Sequence, residues 1–86
     1  MKLHVFDTFA YSKTGKILHF DVLLSERNEV KAHQRAIEWL DSIGEQGATI
    51  KPRGCTFCHT VADAPQFADE VARNGYAIYK LEGCPA

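Results

Sequence analysis

The sequence has no block of basic residues, which argues against a dedicated nucleic-acid-binding protein. Ten lysines and arginines are spread along 86 residues against eleven acidic ones, giving a formal net charge of -1. Proteins that bind nucleic acid through its phosphates need lysine and arginine clustered on one face. We therefore expect no nucleic-acid partner.

Long apolar runs are also absent. No stretch approaches the roughly 20 apolar residues that a membrane-spanning helix requires. The N-terminus lacks the apolar core and the small-residue cleavage site of a signal peptide. Cysteines are few, and their odd number, three, fits a reducing compartment better than a secreted disulfide framework. We expect a cytoplasmic protein with no membrane partner.

Internal repeats, low-complexity tracts and linkers are missing as well, so the sequence predicts a single domain over residues 1–86. A composition of 45% hydrophobic and 24% charged residues is typical of a soluble globular domain. A chain of this length buries only about 60 to 65% of its unfolded surface, so its core is thin. A metal ion or a second subunit would be a natural supplement, and a homodimer is one expectation.

Two segments of strand-like composition, residues 2–11 and 16–24, flank a polar loop at 12–15 and predict a β-hairpin. A four-residue loop places Tyr11 opposite Lys16 and, counting back, Asp7 opposite Phe20. Asp7 then lies alone on an apolar face, where its carboxylate would need a hydrogen-bond donor. The opposite face carries Lys2, His4, Phe6, Thr8, His19, Asp21 and Leu23.

Hydrophobic periodicity and turn residues predict the remaining elements. We expect helices at residues 28–43 and 63–73, and strands at 48–51 and 76–82. The order ββαβαβ, with a last connection long enough for a parallel crossover, predicts an α+β fold. Its sheet would be mixed and four-stranded, and both helices would pack on one face.

Three short segments carry a resemblance to a known family: the strand at residues 4–8, the strand at 18–22 and the Cys-Thr-Phe-Cys-His run at 55–59. The chain resembles a family of short bacterial proteins that is catalogued as a domain of unknown function. The resemblance covers nearly the whole chain. It implies a small α+β domain of bacterial origin and no established activity or catalytic residues.

The Cys-x-x-Cys-His run raises several chemical possibilities. Cys55, Cys58, His59 and Cys84 have the number and kind of ligands that a structural zinc site uses, although Cys84 stands alone as its second half. Cys55 and Cys58 could instead exchange disulfides, with one thiol attacking and the other resolving. The match to a haem-attachment motif is coincidental, because the chain lacks an export signal. The cysteines could also be small buried residues without reactivity.

A second group of polar residues falls on the hairpin. His4, His19 and Asp21 share one face in the predicted register, and with Thr8 they could move protons or bind an ion. Half-solvated strands often carry such residues without a function, and this alternative stays open.

Two functions remain after these considerations. The first, which we favour, is a non-catalytic module that forms a homo-oligomer or binds a partner, with Phe6 and Leu23 on the contact face. The alternative is a zinc-binding or thiol-redox protein built on Cys55, Cys58, His59 and Cys84.

Overall fold

The computed structural model describes residues 2–50, 55–62 and 65–83. Its elements, in chain order, are β1 (Leu3–Tyr11), β2 (Ile17–Leu24), α1 (Glu29–Ser42), β3 (Cys55–Val61), α2 (Pro65–Asn74) and β4 (Ala77–Glu82). The α+β class and the order ββαβαβ predicted from the sequence are confirmed.

The sheet has the strand order β3-β1-β2-β4, and all three pairings are antiparallel. The sequence predicted a mixed sheet of parallel and antiparallel strands, and this prediction was wrong. A parallel crossover requires the two strands that flank a helix to run in the same direction. β3 is antiparallel to β1 and β4 is antiparallel to β2, so these two edge strands run in opposite directions. Helix α2 carries the chain from one edge to the other, and each edge strand pairs with one strand of the central hairpin.

The turn between β1 and β2 sets the register of the hairpin. The amide of Ser12 donates to the carbonyl of Lys16 at 2.9 Å, and the amide of Gly15 donates to the carbonyl of Ser12 at 3.0 Å. Gly15 has a φ of 86°, a left-handed conformation that glycine adopts without steric cost. The loop therefore has three residues, 13–15, and ends in a glycine bulge. Tyr11 pairs with Ile17, one residue away from the predicted partner Lys16.

Helix α1 covers one face of the sheet, which we call face A. Asn28 caps the helix by accepting a hydrogen bond from the amide of Lys31 at 3.1 Å. The ring of Trp39 lies 4.6 Å from that of Phe20, measured between centroids. The buried side chains of this core are Phe6, Ala10, Leu18, Phe20, Val22, Leu24, Ala32, Ala36, Trp39, Leu40 and Cys55.

Helix α2 covers the opposite face, face B, so the prediction that both helices share one face was wrong. Val71 and the partly buried Phe67 of α2 form a second, smaller core with Leu3, Val5, Leu23 and Ala77. Both faces of the central strands carry large apolar residues, and each face needs a cover. Phe6 and Leu23, which the sequence placed together on a subunit contact, are buried within the chain on opposite faces.

Among the residues that the structure describes, the cover on face B lies over one end of the sheet. Helix α2 packs against β2 and β4 near the residues where β1 begins. Toward the other end, Phe9 is 38% exposed, Ile17 51% and Tyr79 52%. We call this region the open half of face B; its residues are Asp7, Phe9, Ile17, His19, Asp21 and Tyr79.

The third strand is formed by the cysteine segment itself, whereas residues 48–50 of the strand predicted at 48–51 form no strand. The run from Cys55 to Val61 is rich in β-branched and aromatic residues, and Cys55 is buried while Phe57 packs against the core on face A. Upstream, the structure has a single bridge between Thr49 and Tyr11 within the described ranges. Lys51, the last residue of that predicted strand, lies outside the described residues. Neither α1 nor α2 has the length and apolar character needed to cross a membrane.

Candidate functional site

A cluster of two carboxylates and one imidazole lies in the open half of face B. Asp7 of β1 is the direct partner of Asp21 of β2, and His19 lies two residues before Asp21 on the same face. One ligand atom from each of the three side chains can be chosen so that all lie within 4.8 Å of one another. Among the described residues, this is the one group of three or more potential metal ligands at such distances.

The cluster corrects the composition of the predicted polar group. His19 and Asp21 belong to it, but their companion is Asp7, while His4 and Thr8 point to face A. The one-residue difference in register exchanges the two faces of β1 and explains the change. The sequence signal that could have identified Asp7 is Gly15. A three-residue loop that ends in this glycine places Asp7 opposite Asp21.

His19 is held in place from two sides. Its Nε2 lies 2.5 Å from Oδ1 of Asp7, and its ring stacks on Phe9 with centroids 4.1 Å apart and an angle of 9° between the planes. The side chain of His19 is 25% exposed and that of Asp7 is 35% exposed. The imidazole is therefore oriented toward the carboxylates and remains accessible to small solutes.

Two negatively charged carboxylates repel each other in this cluster. Burial raises the pKa of Asp21, and the charge of Asp7 and a hydrogen bond with it raise that pKa further. His19 and His59 act in the opposite direction. Like charges directly opposite each other on neighbouring strands are destabilising. A bound cation or a shared proton would relieve this repulsion.

The other two members of the predicted polar group have structural partners. Nδ1 of His4 lies 2.9 Å from the hydroxyl of Thr60 on the neighbouring strand. Thr8 is fully buried, and its hydroxyl lies 3.1 Å from the carbonyl oxygen of Phe6 and 3.4 Å from Sγ of Cys55. These contacts satisfy buried or half-buried polar groups, so neither residue needs a further role.

The predicted zinc ligands are distributed over different surroundings. Cys55 is buried, whereas Cys58 is exposed and its Sγ lies 3.2 Å from Nδ1 of His59. Within the described ranges, Cys55 is not grouped with Cys58 and His59 at metal-site distances. Cys84 lies outside the described residues. The zinc site with four of these ligands stays a prediction.

The thiol-redox alternative requires the two cysteines to reach each other. Both are free, and a separation of three residues along a strand is on the order of 10 Å. A disulfide needs Cα atoms within about 7 Å. Exchange between Cys55 and Cys58 would therefore require β3 to distort, although its bulge at Cys58 shortens the distance.

We expect Cys58 to react with iodoacetamide at least about tenfold faster than Cys55, because thiolate and access control the rate. Burial raises the pKa of Cys55, and the hydrogen bond from Thr8 opposes this only in part. The measurement is the alkylation rate by intact mass in a Cys84→Ser background, with Cys55→Ser or Cys58→Ser added so that one thiol remains. Equal rates would contradict the burial of Cys55.

A small pocket adjoins the carboxylate cluster on face B. It has a volume of about 210 Å³ and lies between the strands and the first turn of α2. Asp21 belongs to both the pocket wall and the cluster. The full lining is Val5, Asp21, Leu23, His59, Val61, Gln66, Phe67 and Tyr79.

Comparison with known proteins identifies the family. The model of a domain of unknown function, DUF2024, matches residues 1–81. The chain belongs to the DUF2024 family. A solved structure similar to this DUF2024 chain is the NMR structure of protein NE1680 from Nitrosomonas europaea, a structural genomics target. The two are 44% identical with a TM-score of 0.87, and the match covers 99% of this chain and 100% of that one. No curated protein matches this DUF2024 chain.

Proposed function

We propose that this protein is a binding module that takes up one divalent transition-metal ion between Asp7, His19 and Asp21. The observation that carries the proposal is the position of their ligand atoms, all within 4.8 Å of one another on one sheet face. Two ligands of the same zinc ion lie about 3–4 Å apart, since each is about 2.0–2.2 Å from the metal. Metal binding would replace the 2.5 Å contact between Nε2 of His19 and Oδ1 of Asp7, and side-chain rotations would have to bring all three ligand atoms to a spacing of about 3–4 Å.

The ligand types favour a borderline metal. Imidazole suits zinc, copper, iron and nickel, while carboxylates also accept manganese. Three protein ligands leave at least one coordination position for water or a small ligand. Zinc, iron and manganese are therefore the ions that best match two carboxylates and one imidazole.

The charge balance supports the same proposal. The carboxylates of Asp7 and Asp21 face each other across the hairpin, and Asp21 is partly buried. A dipositive ion would neutralise both and convert their repulsion into attraction. The stacking of His19 on Phe9 would hold the third ligand in orientation, as neighbouring groups do in known metal sites.

The test is titration of chelator-treated protein with Co²⁺ and Zn²⁺, followed by visible absorption and calorimetry. We expect one ion per chain and an affinity at least about 100-fold lower in Asp21→Asn and in His19→Gln, since the loss of even an outer-shell partner costs about 10–100-fold. His4→Gln is the matched control, because His4 lies on face A, and it should bind as the wild type does.

Cys58→Ser separates this site from the predicted cysteine site. If the metal binds at Asp7, His19 and Asp21, the affinity of this variant should be unchanged. Loss of binding in Cys58→Ser, with Asp21→Asn unaffected, would refute the proposal and favour the site that the sequence predicted. A protein that takes up no metal would refute both.

Homo-oligomerisation remains a second candidate function. The contact predicted at Phe6 and Leu23 is wrong, since both side chains are buried in the chain. The exposure of Phe9, Ile17 and Tyr79 on one sheet face favours the open half of face B as the contact between two copies.

A further inference from the structure

We infer that the pocket beside the carboxylate cluster binds a small organic acid whose carboxylate completes the coordination of the metal. This inference rests on the proposed function and names the ligand class of the same site. Three features carry it: the wall that pocket and cluster share, the apolar character of the other walls, and the charge of the loaded site.

The shared wall is Asp21. This residue lines the pocket and also contributes a ligand atom to the group with Asp7 and His19. An ion held there lies at the edge of the pocket, and its remaining coordination positions are open to a ligand from that side. An oxygen donor is suitable, because the metals that two carboxylates select also accept further oxygen ligands.

The apolar walls determine the rest of the ligand. Val5, Leu23, Val61 and Phe67 form the side of the pocket that continues the core on face B. These side chains would bury a short aliphatic chain or one aromatic ring, and the 5.9 Å contact between Phe67 and Tyr79 provides aromatic surface. The volume of about 210 Å³ is below the range of about 300–1,000 Å³ typical of sites for drug-sized molecules. The ligand is therefore a small one.

The bound ion removes the charge repulsion and offers an open coordination position, and both effects favour an acid and make its binding depend on the metal. Asp7 and Asp21 repel a carboxylate when no ion is present. With a dipositive ion bound, the two negative charges are neutralised and the carboxylate gains a metal bond. Gln66, in the first turn of α2, adds an amide donor at the pocket wall. Metal and acid must then raise each other's affinity by the same factor.

The experiment uses phenylacetate as the probe and phenylacetamide as its neutral analogue. Amide ¹H–¹⁵N spectra of the zinc-loaded and chelator-treated protein are recorded during titration with each compound. In the loaded protein, phenylacetate should shift the signals of Leu23, Val61 and Phe67, with an affinity at least about tenfold higher than in the metal-free protein. Phenylacetamide should bind the loaded protein at least about tenfold more weakly than phenylacetate.

Two variants test the location. Val61→Phe fills the pocket and should abolish the phenylacetate shifts while the zinc affinity measured without the acid is unchanged. Tyr79→Ala is at an exposed position that tolerates substitution, and it should weaken phenylacetate binding several-fold. Unchanged acid binding in both variants would overturn the assignment of the pocket.

The outcomes also separate the two proposals. Zinc binding without any phenylacetate shift overturns the inference and leaves the metal site intact. Equal phenylacetate binding with and without zinc overturns the coupling on which the inference depends. Absence of zinc binding overturns the proposed function and this inference together.

Discussion

Replacing Phe6 with alanine is expected to lower the free energy of unfolding by about 3–5 kcal/mol. Phe6 is fully buried on face A, and its ring packs against that of Phe57 at 5.8 Å between centroids. The loss combines the transfer of the aromatic side chain with the cavity left behind. A domain of 86 residues has a total stability of roughly 4–13 kcal/mol, so a less stable member of this range would unfold.

The measurement is chemical denaturation followed by circular dichroism, with Phe9→Ala as the matched control. Phe9 is on the same strand, three residues later and on face B, and it is 38% exposed. We expect a loss of about 1 kcal/mol or less for this variant, because most surface substitutions have small effects. If Phe9→Ala were the more damaging substitution, the hairpin register with Tyr11 opposite Ile17 would be wrong.

The effect of Asp21→Asn on the free energy of unfolding is expected to change sign when metal is added. Without metal, it removes one of two opposed charges and should raise the free energy of unfolding by up to about 1 kcal/mol. With zinc at 100 times the wild-type dissociation constant, the wild-type protein gains about 2.7 kcal/mol, since only the folded chain binds. The variant should gain almost nothing and become the less stable protein.

Thermal unfolding with chelator and with zinc decides the point. A rise of the midpoint by about 10–20 °C in wild-type protein, absent in Asp21→Asn, is the expected result. Asp41→Asn is a suitable control, because it makes the same chemical change at an exposed residue of α1, on the other side of the sheet from the cluster. The electrostatic argument would be refuted if Asp21→Asn were less stable than the wild type in chelator. It would also be refuted if zinc stabilised the variant as strongly as it stabilises the wild type.

Much of the fold was accessible from the sequence because local patterns determine it. The first helix, predicted over residues 28–43, is found at Glu29–Ser42, with apolar positions spaced to face one side. The last helix and strand were also placed to within about two residues of Pro65–Asn74 and Ala77–Glu82. The first two residues of the helix predicted at 63–73 lie outside the described residues. These elements depend on periodicity and turn residues within short windows.

The candidate site was less accessible because it depends on a count between two strands. A loop of three residues and a loop of four both suit the sequence around Gly15, yet they place Asp7 on opposite faces relative to Asp21. The hydrophobic pattern did not separate them, since both faces of the hairpin are largely apolar. Each face has its own helix, and this pattern therefore reflects two cores.

The prediction for the third strand failed for a different reason. The Cys-x-x-Cys-His run was interpreted through its chemistry, and its strand-like composition received less weight. Cys55 is buried in the core, in agreement with the alternative of a packed cysteine, whereas Cys58 of the same motif is exposed. The edge position of β3 depends on long-range pairing with β1, which no local pattern specifies.

The location of all three proposed ligands on one hairpin has a consequence for folding. A hairpin forms in about 1–10 µs, well before distant parts of a chain need to meet. Asp7, His19 and Asp21 therefore come together as soon as β1 and β2 pair around Gly15, while β3 and β4 must still close much longer loops. A chain that pairs one residue out of register separates Asp7 from the other two. An ion that needs all three would bind only the correctly paired hairpin and would reject the slipped one during folding.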